Sequence, residues 1–407
     1  MTKKPEIIYI IQPLMGENDK ELLEEAIALI ESAGAQYAGS ISQNIREINP
    51  ATFIGEGKLQ ELRERLEGLE DITILFNGEL SPSQTLNISA ALDHRKVIDR
   101  TTLILDIFAL RAQSSEGKIQ VELAQLKYLY PRLKGKGEAL SRLGGGIGTR
   151  GPGETQLETD RRHIRTRIHA LEDKLRETEA RRAMQTERRK KDRVRTIALV
   201  GYTNTGKSTL LNAMTGADVF VKNALFATLD PTARAFEIEG VPFLLVDTVG
   251  FLQSLPHQLI EAFHSTLESA LHCDLALIVC DASGEYETQL KTTLSTLQSL
   301  GFDSPYLIVM NKCDAISDIS ALPHDSVCIS AKNGTGLDTL KSRIFQALSD
   351  RFRRAELFIP YAKLAEYGKI RSLLTERTIN YTDDGAEISV IIPSEYTDQF
   401  HPFSKKD

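Results

Sequence analysis

Residues Gly201 to Ser208 read Gly-Tyr-Thr-Asn-Thr-Gly-Lys-Ser, a match to G-x-x-x-x-G-K-[ST]. Residues of these types at this spacing can bind phosphate. The glycines let backbone N–H groups turn inward around an anion, and a helix starting at Lys207 adds the positive potential of its N-terminus. The Lys207 ammonium can reach the β- and γ-phosphates, and the Ser208 hydroxyl can ligate Mg²⁺. The flanks suit the role: Ile197 to Val200 is an apolar run that fits a buried strand, and Thr209 to Met214 fits the first turns of a helix.

Three further strings follow in order, each closing a strand-like run. Val246-Asp247-Thr248-Val249-Gly250 ends the apolar run from Phe243. An Asp at a strand's C-terminal end can hold a Mg²⁺ shell, and the Gly250 N–H can sense a γ-phosphate. Asn311-Lys312-Cys313-Asp314 follows Tyr306 to Met310, and a fixed carboxylate there can accept two donors from a guanine edge, a pair that adenine lacks. Ile329-Ser330-Ala331-Lys332 follows Ser326 to Cys328 and offers backbone donors to a base carbonyl. Each short string alone reads as an ordinary strand-end turn, but all four in this order point to a guanine nucleotide. The candidate contacts are Gly201, Tyr202, Thr203, Asn204, Thr205, Gly206, Lys207, Ser208 and Thr209 for phosphate, Asp247 to Gly250 beside it, and Asn311 to Asp314 with Ile329, Ser330 and Ala331 for the base.

The chain has 407 residues, enough for two to four domains, with 41% hydrophobic and 26% charged residues. No apolar run approaches the ~18 residues of a membrane span. Glu6 to Gln12 is too short for a signal peptide, lacks a small-residue cleavage site, and reads instead as a first strand. The four cysteines form no C-x-x-C pair, which suits buried free thiols in a reducing cytosol. The net charge of −7 conceals an asymmetry: residues 161–195 carry fourteen Lys or Arg against six acids, a surplus of +8, which leaves −15 on the rest. Such a basic concentration in an acidic chain points to a polyanionic partner.

Patterning divides the chain. Residues 6–12 and 72–76 read as strands, and Glu21 to Ile30 (closed by Gly34) and Gly55 to Leu69 as amphipathic helices. Val97-Ile98 is a short apolar step before the apolar stretch Thr102 to Ala109, and the alternation makes residues 1–112 a small α/β domain. Ile119, Leu123, Leu126 and Tyr130 share one helical face, as do Ile164, Ile168, Leu171 and Leu175, so residues 113–192 form an antiparallel helical hairpin. The apolar stripes need only bind the two helices together. The joining loop exceeds what a turn needs: Arg142, Gly144, Gly145, Gly146, Gly148, Arg150, Gly151 and Gly153 combine bare backbone with arginine, the composition that close approach to phosphates requires. Arg142, Gly144, Gly145, Gly146, Gly148 and Arg150, with Arg161, Arg162 and Arg165 on the second helix, are the candidate nucleic-acid contacts. After a nucleotide domain at 193–350, Phe358-Ile-Pro, the helix Ala362 to Leu374 and Glu387 to Ile392 suggest a small α+β appendage at 351–407 that is too short for an ample core of its own.

The chain resembles the HflX family of ribosome-associated GTPases. The resemblance rests on Phe53-Ile-Gly-Glu-Gly-Lys58, Val97-Ile-Asp-Arg-Thr101, Phe108-Ala-Leu-Arg-Ala112, Gln120-Val-Glu-Leu-Ala124, Gly151-Pro-Gly-Glu-Thr-Gln-Leu-Glu-Thr-Asp160 and Phe226-Ala-Thr-Leu-Asp-Pro-Thr232. It implies an α/β fold with a Ras-like P-loop GTPase domain, an N-terminal α/β domain and a helical hairpin. It also implies binding to the large ribosomal subunit, with the hairpin loop approaching ribosomal RNA near the peptidyl transferase centre, and the splitting of stalled or idle ribosomes. GTP, GDP and Mg²⁺ are the expected ligands. The expected partner is the large subunit and its RNA, with no DNA and no membrane insertion, for a cytoplasmic monomer. Spacing alone leaves Thr215, Thr228 and Thr232 as rivals for the switch threonine, whereas the resemblance implies Thr228 as a Mg²⁺ ligand beside Ser208, with Phe226, Ala227, Leu229 and Asp230 around it. Lys207, Thr228 and Gly250 are then the catalytic candidates. Thr205 stands where the family usually has Ala. Phe251 follows Gly250 where many GTPases place a water-orienting Gln, so intrinsic hydrolysis should be slow.

Two other readings stay open: an assembly factor for the large subunit, which would associate with immature subunits, and a switch with a protein target, whose binding would survive high salt. A tRNA-modification GTPase is disfavoured because no cysteine lies near the C-terminus. In nucleotide choice, Asp314→Asn is expected to weaken GTP binding by roughly 1.5–3 kcal/mol, the scale of one charged hydrogen bond. It should also shift preference toward xanthine nucleotides, whose edge offers an acceptor where guanine has a donor. Equal GTP affinity in mutant and parent, by titration calorimetry, would remove Asp314 from the base pocket.

Overall fold

The strand-like runs 6–12, 72–76 and 97–98 become strands of one parallel sheet, completed by Gln36–Asn44, a segment that patterning did not mark. They are β1 (Ile7–Leu14), β2 (Gln36–Asn44), β3 (Ile72–Phe76) and β4 (Val97–Asp99), in the order β2-β1-β3-β4. The computed structural model describes residues 5–16, 18–141, 152–192, 194–216, 225–226, 232–252 and 271–404. The RNA-contact candidates Arg142 to Arg150 and the nucleotide candidates Ala227, Thr228, Leu229 and Asp230 lie outside them. The described residues form two compact units. The first runs to residue 187 and includes Leu225, Phe226 and Val249 to Leu252; the second holds the rest. Among the described residues no helix is long and apolar enough to cross a membrane.

In the first unit α1 (Asp19–Ser32), α2 (Glu56–Arg65), α3 (Pro82–Ala91) and α4 (Arg100–Arg111) accompany the sheet. Every residue of β3 is buried, as a central parallel strand covered on both faces requires. Local chemistry sets the helix ends. Ser81 and Gln84 form a reciprocal capping box with Pro82 at the first helical position, and the Asp99 carboxylate accepts the Thr102 N–H at 2.9 Å to start α4. Helix α2 stops at Arg65, short of the expected Leu69, and Gly68 lies beyond it at φ 76°. Phe226, 1% exposed, packs its ring edgewise on Phe108 of α4 at 4.4 Å, and the Leu225 N–H donates to Ser32 Oγ at 3.0 Å.

The hairpin helices are α5 (Ser115–Ser141) and α6 (Pro152–Asp192). Among the described side chains of α6, the stripe of Ile164, Ile168, Leu171 and Leu175 is the least exposed, as the spacing predicts. The α5 stripe is displaced: Gln120, Val121, Leu123, Ala124 and Tyr128 are buried, while Ile119, Leu126 and Tyr130 are only half-buried. The reason is that α5 serves two neighbours. One side packs on α3 and α4, and the other meets α6 through Arg167 on Glu122 (2.7 Å) and Lys127 on Glu172 (2.8 Å).

A buried polar knot fixes α5 to the sheet. Asp99 accepts from the Tyr128 hydroxyl and from Arg132 Nη2 (3.1 Å), and Arg132 also donates to Leu80 O at 2.8 Å. Beside it Arg100 donates to Asn77 (2.8 Å) and pairs with Glu25. Charges at this depth are tolerated because each is paired.

In the second unit a six-stranded sheet runs β10-β9-β8-β5-β7-β6. It comprises β5 (Arg195–Gly201), β6 (Thr232–Ile238), β7 (Val241–Asp247), β8 (Leu275–Asp281), β9 (Tyr306–Asn311) and β10 (Val327–Cys328), all parallel except β6. Helices α7 (Lys207–Thr215), α8 (Tyr286–Ser299) and α9 (Leu337–Ala347) accompany it. A second, antiparallel sheet of β11 (Phe352–Pro360), β12 (Thr375–Tyr381) and β13 (Gly385–Pro393), ordered β11-β13-β12, carries α10 (Leu364–Ile370) and α11 (Thr397–Phe400). Its own core centres on Leu357, Ile388, Val390 and Phe400, while Ile391 belongs to the core of the larger sheet. Phe352 stacks on Phe345 at 5.6 Å and meets Phe243 edgewise, and Arg195 donates to Glu395 at 2.8 Å, so the two sheets pack on one another.

Asp99→Ala strands the Arg132 and Tyr128 donors, so the first unit should lose about 3 kcal/mol of stability, the scale of a broken buried pair. The urea midpoint of its transition tests this, and a loss below about 1 kcal/mol would show that water replaces the carboxylate.

Candidate nucleotide site

Strand β5 stands at the switch in strand order: β7 lies on one side of it and β8 on the other. The crevice outside the carboxyl ends of such strands is where open α/β sheets bind ligands. The loop from Gly201 to Gly206 leaves β5 there and enters α7. Its backbone is one that few residues adopt: Gly201 at φ 151°, Asn204 at 62° and Gly206 at 90°. A Cβ on Gly201 would strike the Val279 carbonyl of β8, and one on Gly206 would strike the Asn311 amide. Both positions therefore demand glycine for space as well as dihedral freedom.

Lys207 is 6% exposed, and its Nζ donates to the carbonyls of Gly201 (3.1 Å) and Tyr202 (2.7 Å). Burial pushes the ammonium down to about 8 from 10.5, against the opposing pull of Asp247. Ser208 Oγ donates to Asp247 Oδ2 at 2.6 Å, and the Thr248 hydroxyl donates to Leu199 O at 2.7 Å, which ties the end of β7 to β5. The Thr205 hydroxyl turns back onto Tyr202 O at 3.0 Å, so the extra polar group is absorbed inside the loop. Thr203 is also buried.

Asn311 joins the loop from Gly201 to Gly206 to the strings at 311–314 and 329–331. Its Nδ2 donates to Thr205 O at 2.8 Å, and its Oδ1 accepts the Ala331 N–H at 2.9 Å. Lys312, at φ 63°, reverses the chain and donates to Asp281. Asp314 is exposed at the rim, and the Ser330 hydroxyl beside it holds its carboxyl below the usual range. The Ser330 N–H donates to Thr335 O at 3.0 Å, and Ile329 lies buried behind it.

Of the candidates, Gly201 to Thr209, Asp247, Thr248, Asn311 to Asp314 and Ile329 to Ala331 all belong to the second unit. Phe226, Val249 and Gly250 are buried and belong to the first. Sequence reasoning missed Asp281. It ends β8 directly opposite Asn311, and its signal was an acid closing the apolar run Leu275 to Cys280.

The family models "GTP-binding GTPase N-terminal", "GTP-binding GTPase Middle Region" and "50S ribosome-binding GTPase" match residues 20–109, 111–189 and 196–312. GTPase HflX of Caldanaerobacter subterraneus subsp. tengcongensis is 46% identical over 400 residues, covering 98% of this chain and 92% of that protein. The chain belongs to the HflX family of GTPases. GTPase HflX of Escherichia coli K12 is 40% identical over 90% of this chain and 86% of its own length. A GTP-binding protein of the archaeon Sulfolobus solfataricus, solved with GDP, is 26% identical, with a TM-score of 0.45 over 85% of this chain and 99% of that one. As an HflX-family GTPase the chain binds guanine nucleotide and hydrolyses GTP.

The depressed Lys207 value sets a pH dependence. If Lys207 meets phosphate, binding recruits the charged ammonium, which the free protein loses above about pH 8, so GDP affinity should fall roughly tenfold between about pH 7 and about pH 9, with proton uptake on binding. In stability the sign is opposite to that of a paired lysine. The folded value lies below the unfolded one, so the penalty of burying the charge is largest below about 8 and fades as pH rises toward 10.5. Calorimetry in two buffers of different ionisation enthalpy reads the uptake. Flat affinity with no uptake would mean that Lys207 keeps its proton in the free protein.

Proposed function

We propose that this GTPase engages the large ribosomal subunit through its helical hairpin and splits stalled or idle ribosomes in its GTP state. Four modules serve this: 1–112, the hairpin at 113–192, the GTPase core at 193–350 and the appendage at 351–407. The observation that carries the reading is a cationic, aromatic-backed face on the hairpin of a guanine-nucleotide enzyme. The Arg161 and Arg165 guanidinium groups lie 5.2 and 5.7 Å from the centre of the Tyr130 ring, and Arg165 Nη2 donates to the Tyr130 hydroxyl at 2.6 Å. The Arg165 hydrogen bond draws that phenol below its ordinary value. Arginines held by a ring are pre-positioned for phosphate or for stacking on a base. The family description as a 50S ribosome-binding GTPase supports the same partner.

In the nucleotide site the loop N–H groups cradle the β-phosphate. The Lys207 ammonium exchanges two carbonyls for β- and γ-oxygens, and Asp314 accepts from the guanine edge. Mg²⁺ requires hard oxygen donors, and the Ser208 hydroxyl and buried Asp247 carboxylate, 2.6 Å apart, fit it, with Thr228 as a further proposed ligand. Bound there, the ion would neutralise charge on the phosphate oxygens. The Gly250 N–H is the proposed γ-phosphate sensor. Phe251 has no group to orient water, so water positioning must come from outside this side chain, and basal turnover is slow.

Removing Gly144 to Gly153 with a short linker should leave GTP binding intact and abolish splitting. If about six phosphates are engaged, ribosome binding should show a log–log salt slope of roughly −4 to −5, which charge reversal at Arg161, Arg162 and Arg165 flattens. Pelleting with ribosomes across a salt series, beside a nucleotide-affinity control, reads both. Unchanged splitting by the deletion would return the tip to a plain connector, and association with immature subunits alone would favour the assembly-factor reading.

A further inference from the structure

Cys313 and Cys328 sit on the two strings proposed for the base. Cys328 ends β10 opposite Met310 of β9, and the Ile329 N–H donates to Met310 O at 2.8 Å. The Cys313 N–H donates to Ile329 O at 3.0 Å. The reversal at Lys312 folds Cys313 back, so that its Sγ donates at 3.2 Å to the carbonyl of Met310, the residue paired with Cys328, and the two thiols are neighbours. Both residues are half-exposed, whereas Cys273 and Cys280 are buried, with thiols that burial pushes up to about 11 and about 12.

We propose that Cys313 and Cys328 form a reversible disulfide that disables the guanine pocket, with a small-molecule disulfide such as oxidised glutathione as the oxidant. One cysteine thiolate attacks a glutathione sulfur and expels a glutathione thiolate. The second cysteine thiolate attacks the resulting mixed disulfide at the protein sulfur and expels the other. Two protein thiols are oxidised, one glutathione disulfide is reduced to two thiols, and the two cysteine protons end on the expelled glutathione sulfurs. The new bond draws the turn at Lys312 and Cys313 onto β10. Asp314 is the next residue, so its carboxylate shifts against Ser330 and away from the position that reads the base.

Burial and the neighbouring Cys328 push the Cys313 thiol up to about 11. The pair therefore stays reduced and slow to react near neutral pH, and its thiolate fraction rises about tenfold per pH unit. This answers sustained oxidation rather than brief exposure.

The inference rests on Asp314 and its loop reading the base. The test treats the reduced full chain with oxidised glutathione. It follows intact mass and peptide maps, and measures GDP affinity before treatment, after it, and after dithiothreitol. Expected are a Cys313–Cys328 cross-linked peptide, a roughly ten- to hundredfold loss of GDP affinity, full recovery on reduction, and no loss in Cys328→Ser. Cys328→Ala serves if the serine variant does not fold. Glutathione adducts with no 313–328 peptide overturn the proposal, as does a cross-link that leaves affinity unchanged. Reduced Asp314→Asn separates the two failures. If it loses affinity while cross-linking does not matter, the thiol switch alone fails; if it binds like the parent, the base reading fails with it.

Discussion

Asn311 is 2% exposed, and its one side chain both donates to Thr205 O and accepts from the Ala331 N–H. A single planar amide thus sets the distance between the loop proposed for phosphate and the strand end proposed for the base. Either partner lost would leave a buried backbone group without water, which is the costly failure in a low-dielectric interior. The amide also explains Gly206, whose missing Cβ is the space that the amide fills. Loop glycine and distant asparagine, more than a hundred residues apart in sequence, are one steric solution.

That brace works because the sheet register delivers it. Asp281 of β8 lies opposite Asn311 of β9, so Lys312 finds its carboxylate one step beyond the last pair. Thr248 at the end of β7 is tied to β5 through Leu199 O. The residues proposed for phosphate, metal and base therefore all hang from the carboxyl ends of strands whose spacing the backbone fixes.

The strings that close strands were legible in the sequence because their chemistry is local: glycines for a turn, a lysine and hydroxyl at a helix start, an acid at a strand end. Of the strands that patterning left unmarked, two carried no apolar signal at all. In β2 only Ile41 is fully buried, and in β12 five of seven residues are exposed, so neither carries a period-two apolar signal. Both are sheet edges, held by backbone pairing to one neighbour. The α5 stripe was legible in kind but misplaced in phase, because a helix packed on two sides has no single apolar face. The partners of Asn311 and the meeting of Cys313 with Cys328 were invisible, since both arise from register between segments far apart in sequence.

Helix α5 spans 27 residues, roughly 40 Å at 1.5 Å per residue, and the knot around Asp99 grips it at mid-length through Tyr128 and Arg132. Mechanically the length beyond Arg132 is a cantilever with a clamped base. Swinging it as a hinged arm would mean pulling the Tyr128 hydroxyl and the Arg132 guanidinium off a carboxylate that water does not reach. A sideways load on the arm therefore meets elastic bending of the helix before any rotation at the root, and force is delivered into the N-terminal sheet rather than dissipated at a joint.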